Sequence, residues 1–165
     1  MLASKLLSRA VPDVAMCVAM CLLISSANAD ELSERILPLR ERAVITNEVL
    51  RDRLDNLVPQ LMRRGGIEAW VIIAREYNED PVLRTMLPAT WLNARRRTVL
   101  MFIDHGDERG VERMAIARYD VDDMFAGVWD PEEEPDQWQR IAQILDEYDP
   151  QTIALNFSDT YALAD

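Results

Sequence analysis

Residues 67–74 read IEAWVIIA, and residues 98–103 read TVLMFI. In each run the apolar residues are consecutive rather than alternating. Successive side chains of a strand point to opposite faces, so a strand that is apolar at every position must be covered on both. Two such runs predict central strands in a layered α/β domain rather than an open antiparallel sheet with one wet face.

The pattern outward from these runs supplies the covering layers. Leu50, Leu54, Leu57, Val58 and Leu61 recur at helical spacing, with charged residues between them. This predicts an amphipathic helix starting near Thr46 or Asn47, kinked near Leu57 by Pro59, and stopped by Gly65 and Gly66. A weaker helical stretch over 32–44 precedes it. Beyond the second strand, Gly106 to Gly110 reads as a turn and residues 112–119 as the returning arm of a hairpin. Residues 120–135 are acidic and carry prolines, which predicts a surface loop. Residues 137–148 read as a helix with Trp138, Ile141, Ala142, Leu145 and Tyr148 on one face. A further strand is predicted over 152–157. Together these give a mixed β-sheet flanked by helices on both faces, an α/β class. Ser158 reads as an N-cap and residues 160–165 as the first turns of a helix too short to stand alone. The pattern there predicts a fragment, or one domain of a longer protein.

The first 29 residues follow a different logic. Lys5 and Arg9 give a positive start, residues 14–24 are uncharged and apolar, and Ala27, Asn28 and Ala29 form a small-x-small site before the charges begin at Asp30. This is the layout of a secretory signal. The expected organisation is therefore a signal peptide at 1–29 and a domain at 30–165, exported to the periplasm or secreted, with no stable membrane span after processing. Both cysteines, Cys17 and Cys21, lie in the leader, so the mature domain needs a conventional core in place of disulfides.

The whole chain carries a formal net charge of −11, and loss of two bases and one acid with the leader makes it −12. Such a chain is repelled by nucleic acid, which argues against nucleic-acid binding. One histidine, His105, leaves little scope for metal or triad chemistry built on imidazole. Asp104, His105, Asp107 and Glu108 sit together, but their spacing fits no common zinc or calcium pattern, and they fall on the predicted turn. Glu132, Glu133, Glu134 and Asp136 precede a helix, where carboxylates suit the positive end of the dipole. No catalytic residue and no metal ligand is assigned.

Residues 75–97 (REYNEDPVLRTMLPATWLNARRR) stand apart. A long connection between two buried strands is usually functional. It carries Trp91 and three adjacent bases, Arg95, Arg96 and Arg97, in an acidic chain. Three adjacent arginines suit a carboxylate or a phosphate through bidentate pairs. The bland alternative pairs them with the chain's own surplus of carboxylates or with another domain.

Four stretches also carry a family resemblance: RDRLDNLVPQLMRRGGIEAWVIIAREYNEDPV (51–82), TMLPATWLNARRRTVLMF (85–102), ERMAIARYD (112–120) and DPQTIALNFSDTYALAD (149–165). Residues 50–165 resemble the N-terminal domain of the creatinase/prolidase/Xaa-Pro aminopeptidase superfamily, the pita-bread metallopeptidases, in an exported bacterial branch. The resemblance implies a mixed α/β domain without chemistry of its own. It places the chemistry in a second domain, where a pair of divalent metals (manganese, cobalt or zinc) activates a bridging water to cleave peptides before proline. It implies partners too: the catalytic domain, further copies in a homo-oligomer, and a peptide substrate in the full enzyme. Trp91, Arg95, Arg96 and Arg97 are the expected interdomain or subunit contact. The alternative is a stand-alone periplasmic binding module without enzymatic activity.

Overall fold

The computed structural model describes residues 36–159. The chain divides into two compact units, residues 1–42 and residues 43–165. Of the first, only residues 36–42 are described, and they include the start of helix α1 (Leu39–Asp52). All that follows concerns the second unit. The leader expected at 1–29 and the unfinished helix expected over 160–165 lie outside the described residues.

The two helices read before residue 65 are one run. α1 passes into a wider π turn (Arg53–Leu57) and then into α2 (Val58–Gly65). Thr46 and Asn47, expected to start a second helix, sit inside α1. Neither residue bars a helix; each costs only a few tenths of a kcal/mol to about 0.7. The Asn47 side chain is engaged elsewhere, its Oδ1 accepting from the Ala89 N–H at 2.9 Å. The kink expected near Leu57 takes the form of the π turn. Pro59 has no N–H to donate and crowds the carbonyl four residues back. Winding to i+5 bonds, such as Val58 N–H to the Arg53 carbonyl, takes up that mismatch. Gly66 ends the run at φ +63°, a left-handed position that glycine adopts without strain.

The mixed sheet has five strands in the order β4-β3-β2-β1-β5: β1 (Ala69–Arg75), β2 (Arg97–Asp104), β3 (Val111–Ala115), β4 (Ala126–Gly127) and β5 (Ile153–Leu155). β1 and β2 are antiparallel, Ala69 opposite Ile103 and Arg75 opposite Arg97. β3 returns antiparallel to β2, while β4 and β5 join in parallel at the two edges. The two continuous apolar runs are thus interior strands, and both their faces are covered. On one face Ile72, Ala74, Leu100 and Phe102 meet Leu50, Leu54, Val58 and Met62 of the helical run. On the other, Val71, Ile73, Val99 and Met101 meet Ile141 and Ile144 of the last helix, α4 (Gln137–Tyr148). The α/β class read from the sequence is the class found.

Two local expectations are corrected. Residues 120–135 are not simply a surface loop: Val121, Met124 and Phe125 are buried, and Phe125 packs edge-on against Phe102 at 5.6 Å. The acidic composition of that stretch hides three apolar residues that enter the core. In α4, Trp138 is 42% exposed and Gln137 is buried instead. The buried stripe is Gln137, Ile141 and Ile144; of the face expected, Ile141, Leu145 and Tyr148 pack on the sheet, while Trp138 and Ala142 are exposed. The Gln137 amide is satisfied because Nε2 donates to the Ile116 carbonyl at 2.6 Å.

At the hairpin turn the acidic cluster has a structural use. Arg63 of α2 donates to Asp104 (3.0 Å) and Asp107 (2.5 Å). Arg63, helped by the Gly106 N–H, holds the Asp104 carboxyl below its ordinary value against a desolvation that opposes it. A lowered folded value means a contribution present above the ordinary carboxylate pKa and lost as pH falls through the folded one. Asp104→Asn should therefore cost about 1 kcal/mol at neutral pH, because one side of the pair is solvent-screened. Urea midpoints of the two proteins should converge as pH falls below the ordinary carboxylate range and through the lowered Asp104 value; a gap that persists once that carboxyl is protonated would contradict this origin.

Candidate functional site

Two neighbouring strands, and the segment that follows a third, bring arginines to the same end of the sheet. Arg75 closes β1 directly opposite Arg97, which opens β2. The β2–β3 pairing continues past Ala115 through the Ile116 N–H, which donates to the Val99 carbonyl at 2.9 Å. Arg118 follows two residues later. Arg95 and Arg96 approach from the connection before β2. These five arginines line one open cleft of about 800 Å³. Glu76 is the one carboxylate in its lining, with Tyr77, Tyr119 and Trp129 as aromatic walls. In a chain of net charge −11, the cleft is a positive island.

Aromatic residues hold two of the guanidinium groups. Arg97 lies over the Trp138 ring at 4.6 Å, and Arg95 over the Trp91 ring at 5.3 Å. A stacked guanidinium keeps its flat faces on the ring and its N–H edge available for bidentate contact with an oxyanion. Trp91 in turn meets Tyr119 at 6.0 Å and packs against the core, half-buried. Trp91 is thus a platform tied to the core that carries Arg95. Gln137, whose importance the helical pattern does not reveal, braces the floor, its Oε1 3.5 Å from Arg97 Nη1.

The loop geometry around the cleft is unusual. Tyr77 and Arg96 have φ of +70° and +48°. The left-handed region costs a side-chain-bearing residue about 1–2 kcal/mol. A glycine or asparagine would avoid that cost at Arg96, so the arginine is not there for backbone reasons. The two turns are tied together: the Glu76 N–H donates to the Arg96 carbonyl (2.8 Å), and the Arg96 N–H donates to Glu76 Oε2 (3.3 Å). The connection is fixed at its other end by the buried Asp80, whose Oδ1 accepts from Val82 N–H at 2.7 Å to start helix α3 (Pro81–Thr85).

Among the described residues, local pairing with the acidic surplus does not account for Arg95, Arg96 and Arg118. Arg51, Arg63 and Arg113, which tie elements of the fold together, each hold an aspartate. Among the described residues, the Arg96 and Arg118 guanidinium groups hold no carboxylate, and that of Arg95 has only the Trp91 ring. Glu132 and Glu133 stand nearby, on a groove that shares Arg118 and Trp129 with the cleft, yet neither forms an ion pair with it.

Gly127 positions Arg118 and Tyr119. A Cβ there would lie 2.6 Å from the Tyr119 carbonyl carbon and 2.7 Å from its oxygen. Backbone cannot yield as a flexible side chain can, so the two segments approach this closely only through glycine. Gly127→Ala should cost about 1–3 kcal/mol by overpacking and displace the cleft wall. A thermal midpoint within about 1 °C of the parent would contradict this.

Of the residues expected as a contact surface, the structure gathers all four: Trp91, Arg95, Arg96 and Arg97 share this corner of the sheet. Arg75 and Arg118 are additions. Their signal lay in the strand registers: pairing outward from the Gly106–Gly110 turn brings Arg118 beside Arg97. Metal-holding groups of three or more His, Cys, Asp or Glu are absent among the described residues. His105 instead pairs through Nε2 with Glu112 at 2.8 Å, and Tyr148 also donates to Glu112, at 2.9 Å. That carboxylate raises the Tyr148 phenol above its ordinary value. No helix of the described residues is long and apolar enough to cross a membrane. Comparisons with family models, with curated proteins and with solved structures found no match.

Proposed function

We propose that the chain is a recognition domain without chemistry of its own, and that the arginine cleft is its working surface. The reading that best unites the cleft with the sequence resemblance is the N-terminal domain of an exported Xaa-Pro-type metallopeptidase. In that enzyme a separate pita-bread domain would hold the divalent metal pair (manganese, cobalt or zinc) and remove N-terminal residues before proline. This domain would shape access for the peptide and help assemble a homo-oligomer in the periplasm. The observation that supports the reading is the exposed positions of Arg95, Arg96 and Arg118, three bases with no carboxylate on their guanidinium groups among the described residues, beside an aromatic wall. An acidic face of the catalytic domain, its own or a neighbouring subunit's, is the natural complement.

The test begins with the reading frame. Under this reading it continues past Asp165 into a domain with spaced Asp, His and Glu. In that full-length protein, Arg95→Ala with Arg96→Ala should weaken assembly by about 1–3 kcal/mol, measured by sedimentation, while the circular dichroism stays unchanged. Unchanged assembly, or Xaa-Pro hydrolysis by the 165-residue chain itself, would overturn it. A second reading, a stand-alone binding module, draws on the volume of the cleft, which lies within the range of small-molecule sites. A stop codon directly after Asp165 would select it over the first.

A further inference from the structure

The cleft and the groove beside it carry opposite charges. Arg95, Arg96 and Arg118 are exposed on the cleft, with no carboxylate on their guanidinium groups among the described residues. The groove that shares Arg118 and Trp129 with the cleft is lined by Asp130, Glu132, Glu133 and Glu134. Two of these carboxylates are engaged inside their own loop. Asp130 Oδ1 accepts from the Glu132 N–H at 2.8 Å, and Glu134 accepts from the Asp136 N–H at 3.1 Å and from Gln143 Nε2 at 3.0 Å. The Trp129 indole fastens the same loop, its Nε1 donating to the Glu134 carbonyl at 2.7 Å. Glu132 and Glu133 are exposed, and their side chains hold no base among the described residues. A loop pinned in this way presents its two outer carboxylates on an ordered backbone, which lowers the ordering cost of binding.

We propose that this face binds a second copy of the chain about a two-fold axis, with Arg95, Arg96 and Arg118 of one copy against Glu132 and Glu133 of the other, and the reverse. An isologous interface needs a surface complementary to itself. Adjacent positive and negative patches meet that condition, because the half-turn that lays the first on the second also lays the second on the first. Charge selects the place of contact as well. Two chains of net charge −11 repel each other over most of their surfaces, so approach is favourable where bases meet acids. Exposed ion pairs contribute little energy by themselves. Trp129, which lines both grooves, and Tyr119, which lines the cleft, supply apolar contact between the patches. Arg75 and Arg97 keep the partners they have within the chain and take no part. The inference rests on the cleft being the recognition surface of the domain, and it names the partner recognised there.

Sedimentation velocity of the 165-residue chain tests it. The parent should form a dimer whose dissociation constant rises with ionic strength. A base-to-acid variant, Arg96→Asp with Arg118→Glu, and an acid-to-base variant, Glu132→Arg with Glu133→Arg, should each weaken self-association by about tenfold to a hundredfold, since like charges then face each other. An equimolar mixture of the two should restore a one-to-one dimer, because each altered patch meets its complement. Aspartate is among the residues that accept the left-handed backbone of position 96, and circular dichroism checks the fold of each variant. Where a double variant does not fold, Arg118→Gln and Glu133→Gln carry the comparison, each weakening the dimer by about twofold to tenfold. Arg64→Glu, at an exposed base near the end of α2, should leave the dimer unchanged. A parent or a mixture that stays monomeric, or equal loss in Arg64→Glu, overturns the inference. In the full-length protein, loss of assembly in Arg95→Ala with Arg96→Ala but not in Glu132→Arg with Glu133→Arg would give the cleft to an acidic face elsewhere. That result overturns the pairing of two copies here and leaves the proposed function standing.

Discussion

Replacing Phe102 with alanine should lower the unfolding free energy by about 3–5 kcal/mol, the largest effect expected of any single change in this chain. Phe102 is fully buried in the middle of β2. It stands between Trp70 of β1 at 5.7 Å and Phe125 of the 120–135 segment at 5.6 Å. Truncation removes the transfer energy of a phenyl ring and leaves a cavity roofed by the helical run, which cannot collapse without bending the ladder. The ring also anchors Phe125, so the segment that leads to Gly127 and the cleft wall loosens with it. Domain stabilities are about 5–15 kcal/mol, so the variant should be marginal at 37 °C. Urea unfolding followed by tryptophan fluorescence reads the midpoint. A loss under about 2 kcal/mol would mean that the 120–135 segment is not part of the core, as its composition first implied.

Asp80→Ala is the second. The Asp80 side chain is buried and accepts three hydrogen bonds on Oδ1: from Val82 N–H (2.7 Å), Leu83 N–H (3.3 Å) and Asn156 Nδ2 (2.9 Å). Asn156 passes the link onward, its Oδ1 accepting from Trp70 Nε1 at 2.8 Å. One carboxylate thus caps α3 and ties the long connection to the segment after β5. Alanine removes the cap and strands the Asn156 amide, at a cost of about 2–3 kcal/mol. Asp80→Asn keeps an acceptor at the cap and should recover part of it. Because the same connection carries Trp91, Arg95 and Arg96, the alanine variant should also speed amide exchange over 81–96. Exchange unchanged there, with a lower global midpoint, would separate the anchor from the cleft.

Much of this architecture is legible in the residues, and the reasons are specific. The stretches 69–74 and 99–103 are apolar at every position, which admits few readings other than strands covered twice. α4 begins and ends where Asp136 and Asp149-Pro150 place it. The helical run misleads at Thr46 and Asn47 because capping residues are also tolerated inside a helix when a distant partner, here Ala89, takes the side chain. The 120–135 segment misleads because Val121, Met124 and Phe125, though spaced as on one helical turn, fall among Asp120, Asp122 and Asp123 and are too few to mark a helix. They enter the core singly, and only the fold around Phe102 gives them a place.

The site was legible in part for the same reason. Arg95, Arg96 and Arg97 are conspicuous as a run. Arg75 and Arg118 are ordinary in sequence and acquire meaning only through strand register, a long-range property. Trp91 has the opposite history: conspicuous in sequence, it is tied to the core in the structure, so Trp91→Ala would lower the stability of the domain along with any docking. The bases around it report on function more cleanly.

Arg96→Asn therefore tests the central claim most directly. Asparagine accepts the left-handed backbone that Arg96 adopts at φ +48° and removes one of five crowded positive charges. If the cleft is held for a ligand or a partner at the expense of stability, the urea midpoint of Arg96→Asn stays level or rises, as substitution at a strained functional position predicts. A fall equivalent to about 1 kcal/mol or more would make Arg96 a structural residue and contradict the reading of the cleft as a recognition surface.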